Sequence, residues 1–307
     1  MGRLSDQGKT QADGRPVRAA EPYPYVAPAI CLIAAVILVP MCVGVSYAFR
    51  DITLLDPASG AWVGLEHFRE LYVDPSFWGA LRNTVIWTVA SVGLQFSLGL
   101  TLALLLDRPF AGRAPIQLLV FLPWAVPSFL SGLNWAWLFN PVIGPLPQWL
   151  YGMGVLASPD DPLSDPEHAI WGPVAANVWW GIPFFAITLL AALQSIPKDL
   201  YEAAKIDGAG AWARFCTLTL PLIAPAIAVT LVLRTVWVAN FPDLIFVMTH
   251  GGPADSTQIL SSYVFTQAFQ RLDFGYASAV ALVLLLLLLA YALAVFALRR
   301  ATLRSAR

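Results

Sequence analysis

Glu202, Lys205, Asp207 and Arg214 fall within thirteen residues of the stretch LYEAAKIDGAGAWARFCTLTLPLIAP, which runs from Leu200 to Pro225. Charges of both signs, set among alanines and glycines, suit polar contact with another macromolecule and leave room for its close approach. A second set, Asn177, Trp180, Gly181 and Phe184, sits at i, i+3, i+4 and i+7 and so shares one helix face. An amide, two rings and a gap make a wall that suits a sugar: hydrogen bonds for hydroxyls, aromatic faces for C–H surfaces. The third feature is Arg234, inside an apolar run, where a charge costs roughly 2.5–3.5 kcal/mol on insertion scales. Trp237 lies on its flank, and Asn240 and Asp243 follow around the kink expected at Pro242. Such an arginine can hydrogen-bond sugar hydroxyls or pair an anionic group. It can equally tie two helices together through a carboxylate or backbone carbonyls. Asn83, Gln95 and Asn134 are weaker candidates for a polar pathway, since interhelical hydrogen bonds explain them as easily.

Other chemistries find little support. Cys31, Cys42 and Cys216 have no metal-ligand spacing, and His67, His168 and His250 stand far apart. No GxxxxGK[ST] run is present, so ATP hydrolysis by the usual phosphate-loop route is excluded. No His/Cys/Asp/Glu constellation falls within the apolar segments, which argues against a membrane-embedded enzyme. The expectation is a non-catalytic chain that carries no metal and no cofactor of its own.

The elements that must position these residues are membrane spans. Only 12% of residues are charged and 58% are hydrophobic, whereas a soluble chain carries roughly 25% charge. A bilayer core needs about 20 apolar residues per helix. Six segments qualify, at about 26–49, 83–106, 116–139, 170–193, 221–247 and 276–298. The first is longer than a signal-peptide core and follows a polar start, so a retained anchor is expected. With the N-terminus inside, the inner segments hold thirteen Lys and Arg. The outer segments hold only Arg50, Arg69, Arg82 and Arg271. The positive-inside rule then places both termini and the charged loop in the cytoplasm, in a multi-pass inner-membrane protein.

Residues 1–22 are expected to be a disordered cytoplasmic start, 23–300 a six-span transmembrane domain, and 301–307 a cytoplasmic tail. In the first outer segment Leu65, Phe68, Leu71 and Tyr72 have helical spacing, which predicts a short interfacial helix. The outer segments carry eleven acids, which read either as a solvated exterior or as a docking face for an external partner.

Within the charged loop, Pro197 suits a helix start, Asp199 and Glu202 suit its dipole, and Ala203 and Ala204 are strong helix formers. Gly208 then breaks the helix, Trp212 and Phe215 anchor a second turn, and Pro221 opens the next span. Glu202-Ala203-Ala204, Gly208 and Leu218-Thr219-Leu220-Pro221 resemble the EAA loop of ABC importer permeases, with Leu218 where the pattern usually has Ile. "WVGLEHFRELYVDPSFWGALRNT", "FLPWAVPS", "NVWWGIPFF" and "NFPDLIFVMTHGGPADSTQIL" extend the likeness to the carbohydrate-uptake, maltose-type branch over roughly residues 22–300. His250 departs from that branch's glycine-rich turn.

The resemblance implies an all-α, type I importer permease with a cytoplasmic coupling helix between spans 4 and 5. It implies partners: a second, non-identical permease, two ATPase subunits that bind ATP and Mg, and an external solute-binding protein. Glu202 and Asp207 would then contact the ATPase, with Ala203, Ala204 and Gly208 permitting close fit. Asn177, Trp180, Gly181, Phe184, Arg234, Trp237 and Asn240 would line the path of a sugar or related polyhydroxy solute. The competing reading is an ion-coupled secondary carrier. That reading needs repeats and embedded ionisable residues, and it leaves the charged loop without a purpose.

Overall fold

In the computed structural model the described residues are 23–56, 60–155 and 163–305. The segment expected to be disordered, 1–22, lies outside them. The chain divides into two compact units, residues 1–46 and 47–307. The first unit is built on α1 (Tyr23–Ile33), a π turn (Ala34–Leu38) and α2 (Val39–Tyr47), a continuous apolar rod without buried residues of its own.

The second unit begins with α3 (Glu66–Val73), on the segment whose spacing predicts a short helix, followed at once by α4 (Pro75–Leu106). Asp74 separates them. Its Oδ1 accepts the N–H of Ser76 at 2.9 Å, and Pro75 occupies the first helical position, where its missing N–H is harmless. This helix start extends α4 well ahead of the expected span edge near residue 83.

The expected third span, 116–139, is two helices, α5 (Arg113–Ala125) and α6 (Ser128–Leu138), which meet at 95°. Pro127 supplies no N–H and pushes Val126 into the extended region, at φ −79° and ψ 127°. The carbonyl freed at Val126 accepts the indole N–H of Trp180 at 2.9 Å. A short helix, α7 (Pro145–Gly152), precedes α8 (Trp171–Gln194).

The charged loop forms α9 (Lys198–Ile206) and α10 (Ala211–Arg214), then runs through a π stretch (Phe215–Thr219) into α11 (Leu220–Ala239). The chain breaks at Asn240–Pro242 and resumes as α12 (Asp243–Met248), so the expected 221–247 span is also interrupted. α13 (Leu260–Phe265) and a π stretch (Thr266–Gln270) lead to α14 (Phe274–Ser305), which runs into the expected tail. Among the described residues five helical segments are long and apolar enough to cross a membrane, six if the bent pair is one span. Among the described residues two isolated bridges, Arg50 to Trp62 and Thr53 to Asp273, are the only β-type pairings.

The core lies where α4 packs along α8, with α11 against both. Gln95 meets the Asn177 turn and Gly99 meets Phe185, so α4 and α8 run parallel. Trp87 donates its indole N–H to the Val238 carbonyl at 2.9 Å, and Gln95 meets Arg234, so α11 runs antiparallel to them. A Cβ at Gly99 would lie 2.5 Å from Phe185 Cβ, which is why only glycine lets these two helices touch here. At the end away from α9, Asp74 Oδ2 accepts the hydroxyls of Tyr263 at 2.5 Å and Tyr276 at 2.6 Å, tying α4, α13 and α14 together.

Candidate functional site

The charged loop forms as its local sequence dictates. Pro197 caps α9 from outside, with Asp199 in the first turn and Lys205 in the last, each complementing the helix dipole. The helix ends in a paired-bond stop: Ala209 N–H reaches the Ala204 carbonyl at 2.9 Å and Gly208 N–H the Lys205 carbonyl at 3.0 Å. That stop needs a left-handed residue, and Gly208 has φ +78° with open space around it. Arg214 Nη1 donates to the Ala209 carbonyl at 3.0 Å and closes the turn from the α10 side.

Glu202, Ala203, Asp207 and Gly208 are exposed, and Ala204 is half-buried. Beside them Ile206 is 87% exposed and Trp212 is 76% exposed. A polar and apolar mixture left open on a helix–turn–helix is the kind of surface that suits a protein partner. Tyr201 turns the other way and anchors the element through Thr219.

Six of the seven residues expected to line a solute path converge inside the bundle. The guanidinium carbon of Arg234 lies 5.3 Å from the Trp180 ring centre, 5.6 Å from Phe184 and 5.2 Å from Trp237. Gly181 faces the same group, where any Cβ would overlap Arg234 Nη2 and the Gln95 amide. Asn177 stands one turn away, fully buried. Asn240 is apart from this cluster. It is exposed, and its Nδ2 donates to the Val236 carbonyl of its own helix at 2.9 Å.

Arg234 is fully buried, and the partner expected to be a carboxylate or backbone carbonyl is a neutral side chain. Its Nε donates to Gln95 Oε1 at 2.7 Å. Gln95 Nε2 in turn donates to the Asn177 carbonyl at 2.8 Å. Arg234 Nη1 and Nη2, and both amide atoms of Asn177, are buried without a hydrogen-bond partner among the described residues.

Taking a charge out of water is penalised by several kcal/mol even after relaxation. Three ring faces return roughly 0.5–2 kcal/mol each, and one hydrogen bond to a charged group about 1.5–3 kcal/mol. Gain and penalty are of one order, so the closed arrangement is held without a wide margin. Chemically, this face offers several unused N–H donors, an amide and three rings, a set suited to a ligand rich in oxygen acceptors and C–H surface.

Sequence reasoning ranked Gln95 low and missed the Trp180–Phe241 stack, with ring centres 5.5 Å apart and 11° between planes. Gln95 carried a detectable signal, an amide inside an apolar helix, but its partner lies 139 positions away. Asn83 acts within the fold: its Nδ2 donates to the carbonyls of Ser256 at 2.9 Å and Gln258 at 3.0 Å. Asn134 is exposed and lies outside the cluster.

Known proteins share this architecture and sequence. Residues 95–304 match the family of binding-protein-dependent transport system inner membrane components. The sulfoquinovosyl glycerol transport system permease protein SmoG of Agrobacterium fabrum is 36% identical over 257 residues, 84% of this chain and 83% of its own length. The trehalose/maltose transport system permease protein MalF of Thermococcus litoralis is 38% identical over 234 residues, 76% of this chain and 77% of its own length. A bacterial alginate ABC transporter, solved in complex with alginate pentasaccharide-bound periplasmic protein, contains a chain that superposes with TM-score 0.76 at 25% identity. That match covers 90% of this chain and 92% of the other.

Proposed function

The chain belongs to the family of binding-protein-dependent transport system inner membrane components, and on that premise we propose that it forms half of an import pathway for a sugar or related polyhydroxy solute. As a permease subunit of an ATP-binding-cassette importer it works with a second permease, a pair of ATPases and a solute-binding protein. ATP and Mg are handled on the ATPases, and this chain carries no chemical step. The same reading places it in the inner membrane with both termini in the cytoplasm, supported by the bias of Lys and Arg toward the inner segments.

The observation that carries the reading is the open α9 helix, stopped by Gly208 and set at the C-terminal end of α8. Glu202, Ala203, Ala204, Asp207 and Gly208 form the surface that the ATPase grips, with Ile206 and Trp212 as its apolar anchors. The helix that follows α8 thus reports to the same α8 and α11 that carry Asn177, Trp180, Gly181, Phe184, Arg234 and Trp237. These residues meet the solute, with Trp237 presented outward; Asn240 contributes from the exposed break after α11. An ion-coupled carrier would leave α9 without a role.

The test is ATP hydrolysis by the complete assembly in lipid, measured against a panel of solute-loaded binding proteins. Stimulation by a sugar-loaded protein is expected. Failure to assemble with any ATPase, with uptake driven by an ion gradient instead, would overturn the reading.

A further inference from the structure

Gln95 belongs neither to the exposed helix nor to the aromatic cage, yet its one amide joins α4, α8 and α11. Its Oε1 accepts from Arg234 at 2.7 Å, its Nε2 donates to the Asn177 carbonyl at 2.8 Å, and the side chain is fully buried. We propose that Gln95 is a positioning residue whose amide clasps the Arg234 guanidinium in a closed face, and that the arriving solute opens this clasp. The inference rests on the solute-face reading above.

Three observations carry it. First, Arg234 Nη1 and Nη2 and both amide atoms of Asn177 have no hydrogen-bond partner among the described residues, and none of them is reachable from outside in the closed arrangement. A ligand that uses these groups must first part α8 from α11. Second, the closure depends on Gly181, because any side chain there would collide with both Arg234 and Gln95. Gly181 thus leaves the space that the clasped Arg234 and Gln95 side chains fill.

Third, the partner is an amide, not a carboxylate. A neutral acceptor engages only Nε and leaves the remaining donors for a ligand. A carboxylate could take two of them in a forked ion pair and hold the face shut. A polyhydroxy solute, offering several acceptor oxygens, competes well against one amide and poorly against an ion pair.

The experiment uses the complete assembly in lipid nanodiscs, with its binding protein loaded from a panel of maltose, trehalose and sulfoquinovosyl glycerol. ATP hydrolysis is measured without solute and as a function of loaded binding protein. Gln95→Met, which releases the guanidinium, is expected to raise the solute-free rate at least about fivefold, the low end of ordinary coupling between sites. Gln95→Glu, which tightens the clasp, is expected to lower the stimulated rate while the solute-free rate stays at or below that of the native chain. A merely structural glutamine would move both variants in one direction. That outcome, or an unchanged solute-free rate in Gln95→Met, overturns the proposal.

If Gln95→Met assembles poorly, the double variant Gln95→Met/Arg234→Met removes both polar partners and must then show the raised solute-free rate. Its failure to assemble would make Gln95 a packing residue and also overturn the proposal. Trp237→Ala separates the two readings. No change in its solute dependence removes the face from the pathway. A changed dependence with same-direction Gln95 variants removes the clasp alone.

Discussion

The hydroxyl of Tyr201 lies 2.9 Å from the Thr219 hydroxyl oxygen, so α9 is tied to the base of α11. Thr219 is itself buried at the head of that helix. The contact gives movement of α9 a direct route to α11, the helix that carries Arg234. Tyr201→Phe removes a hydrogen bond worth about 0.5–1.5 kcal/mol and leaves the ring in place. Assembly should be intact, and the amount of solute moved per ATP hydrolysed should fall severalfold; a simultaneous assay of uptake and phosphate release decides it.

Gly208→Val places a branched side chain where φ is +78°. The space is open, so the penalty is one of backbone conformation, roughly 1–3 kcal/mol, and it falls on the stop that shapes α9. The spans should still fold and insert, with ATPase co-purification weakened and transport lost. Full transport by this variant would show that the α9 surface is not the coupling element.

Gly99→Ala addresses the α4–α8 contact alone. The new methyl would sit 2.5 Å from Phe185 Cβ, and the neighbouring Ala186 N–H and Ile182 carbonyl leave little room to yield. Overpacking of this kind costs about 1–3 kcal/mol. A lowered thermal midpoint of the purified assembly, with ATPase co-purification unaffected, is the expected result.

Asp74 gives the fold a defined response to acid. Burial opposes its ionisation, but hydrogen bonds from Tyr263, Tyr276 and the backbone N–H groups of Ser76 and Phe77 outweigh that and hold its carboxyl below the ordinary range. A depressed value means that the ionised tie stabilises at neutral pH and that this contribution is lost as pH falls below about 4. Asp74→Asn should lower the thermal midpoint at pH 7 and flatten its decline toward pH 3, measured by melting the purified assembly across that range.

The parts legible in the sequence were those set by neighbours in the chain. The α9 helix, its glycine stop and the shared face of Asn177, Trp180, Gly181 and Phe184 follow from spacings of three and four residues, and α8 realises them without a break. Where a helix stops, that arithmetic stops too. Asn240, expected to follow Arg234 around the Pro242 kink, lies past the end of α11 and bonds back to Val236, apart from the Arg234 cluster. The 95° bend was equally hidden by averaging, because hydropathy sums across Pro127 while the backbone cannot. Gln95 was harder still. Nothing within α4 says which of its polar groups will meet an arginine 139 positions later, since that depends on how three helices pack.

Ile206 and Trp212 stand 87% and 76% exposed on the α9–α10 surface. Large apolar side chains that their own chain leaves uncovered invite unspecific association until a partner or the lipid interface covers them. A copy of this chain without a partner on that surface would stay marked as incomplete. If the ATPases cover it, raising expression of this chain alone is expected to add aggregates and degradation fragments, and raising both to add working importers.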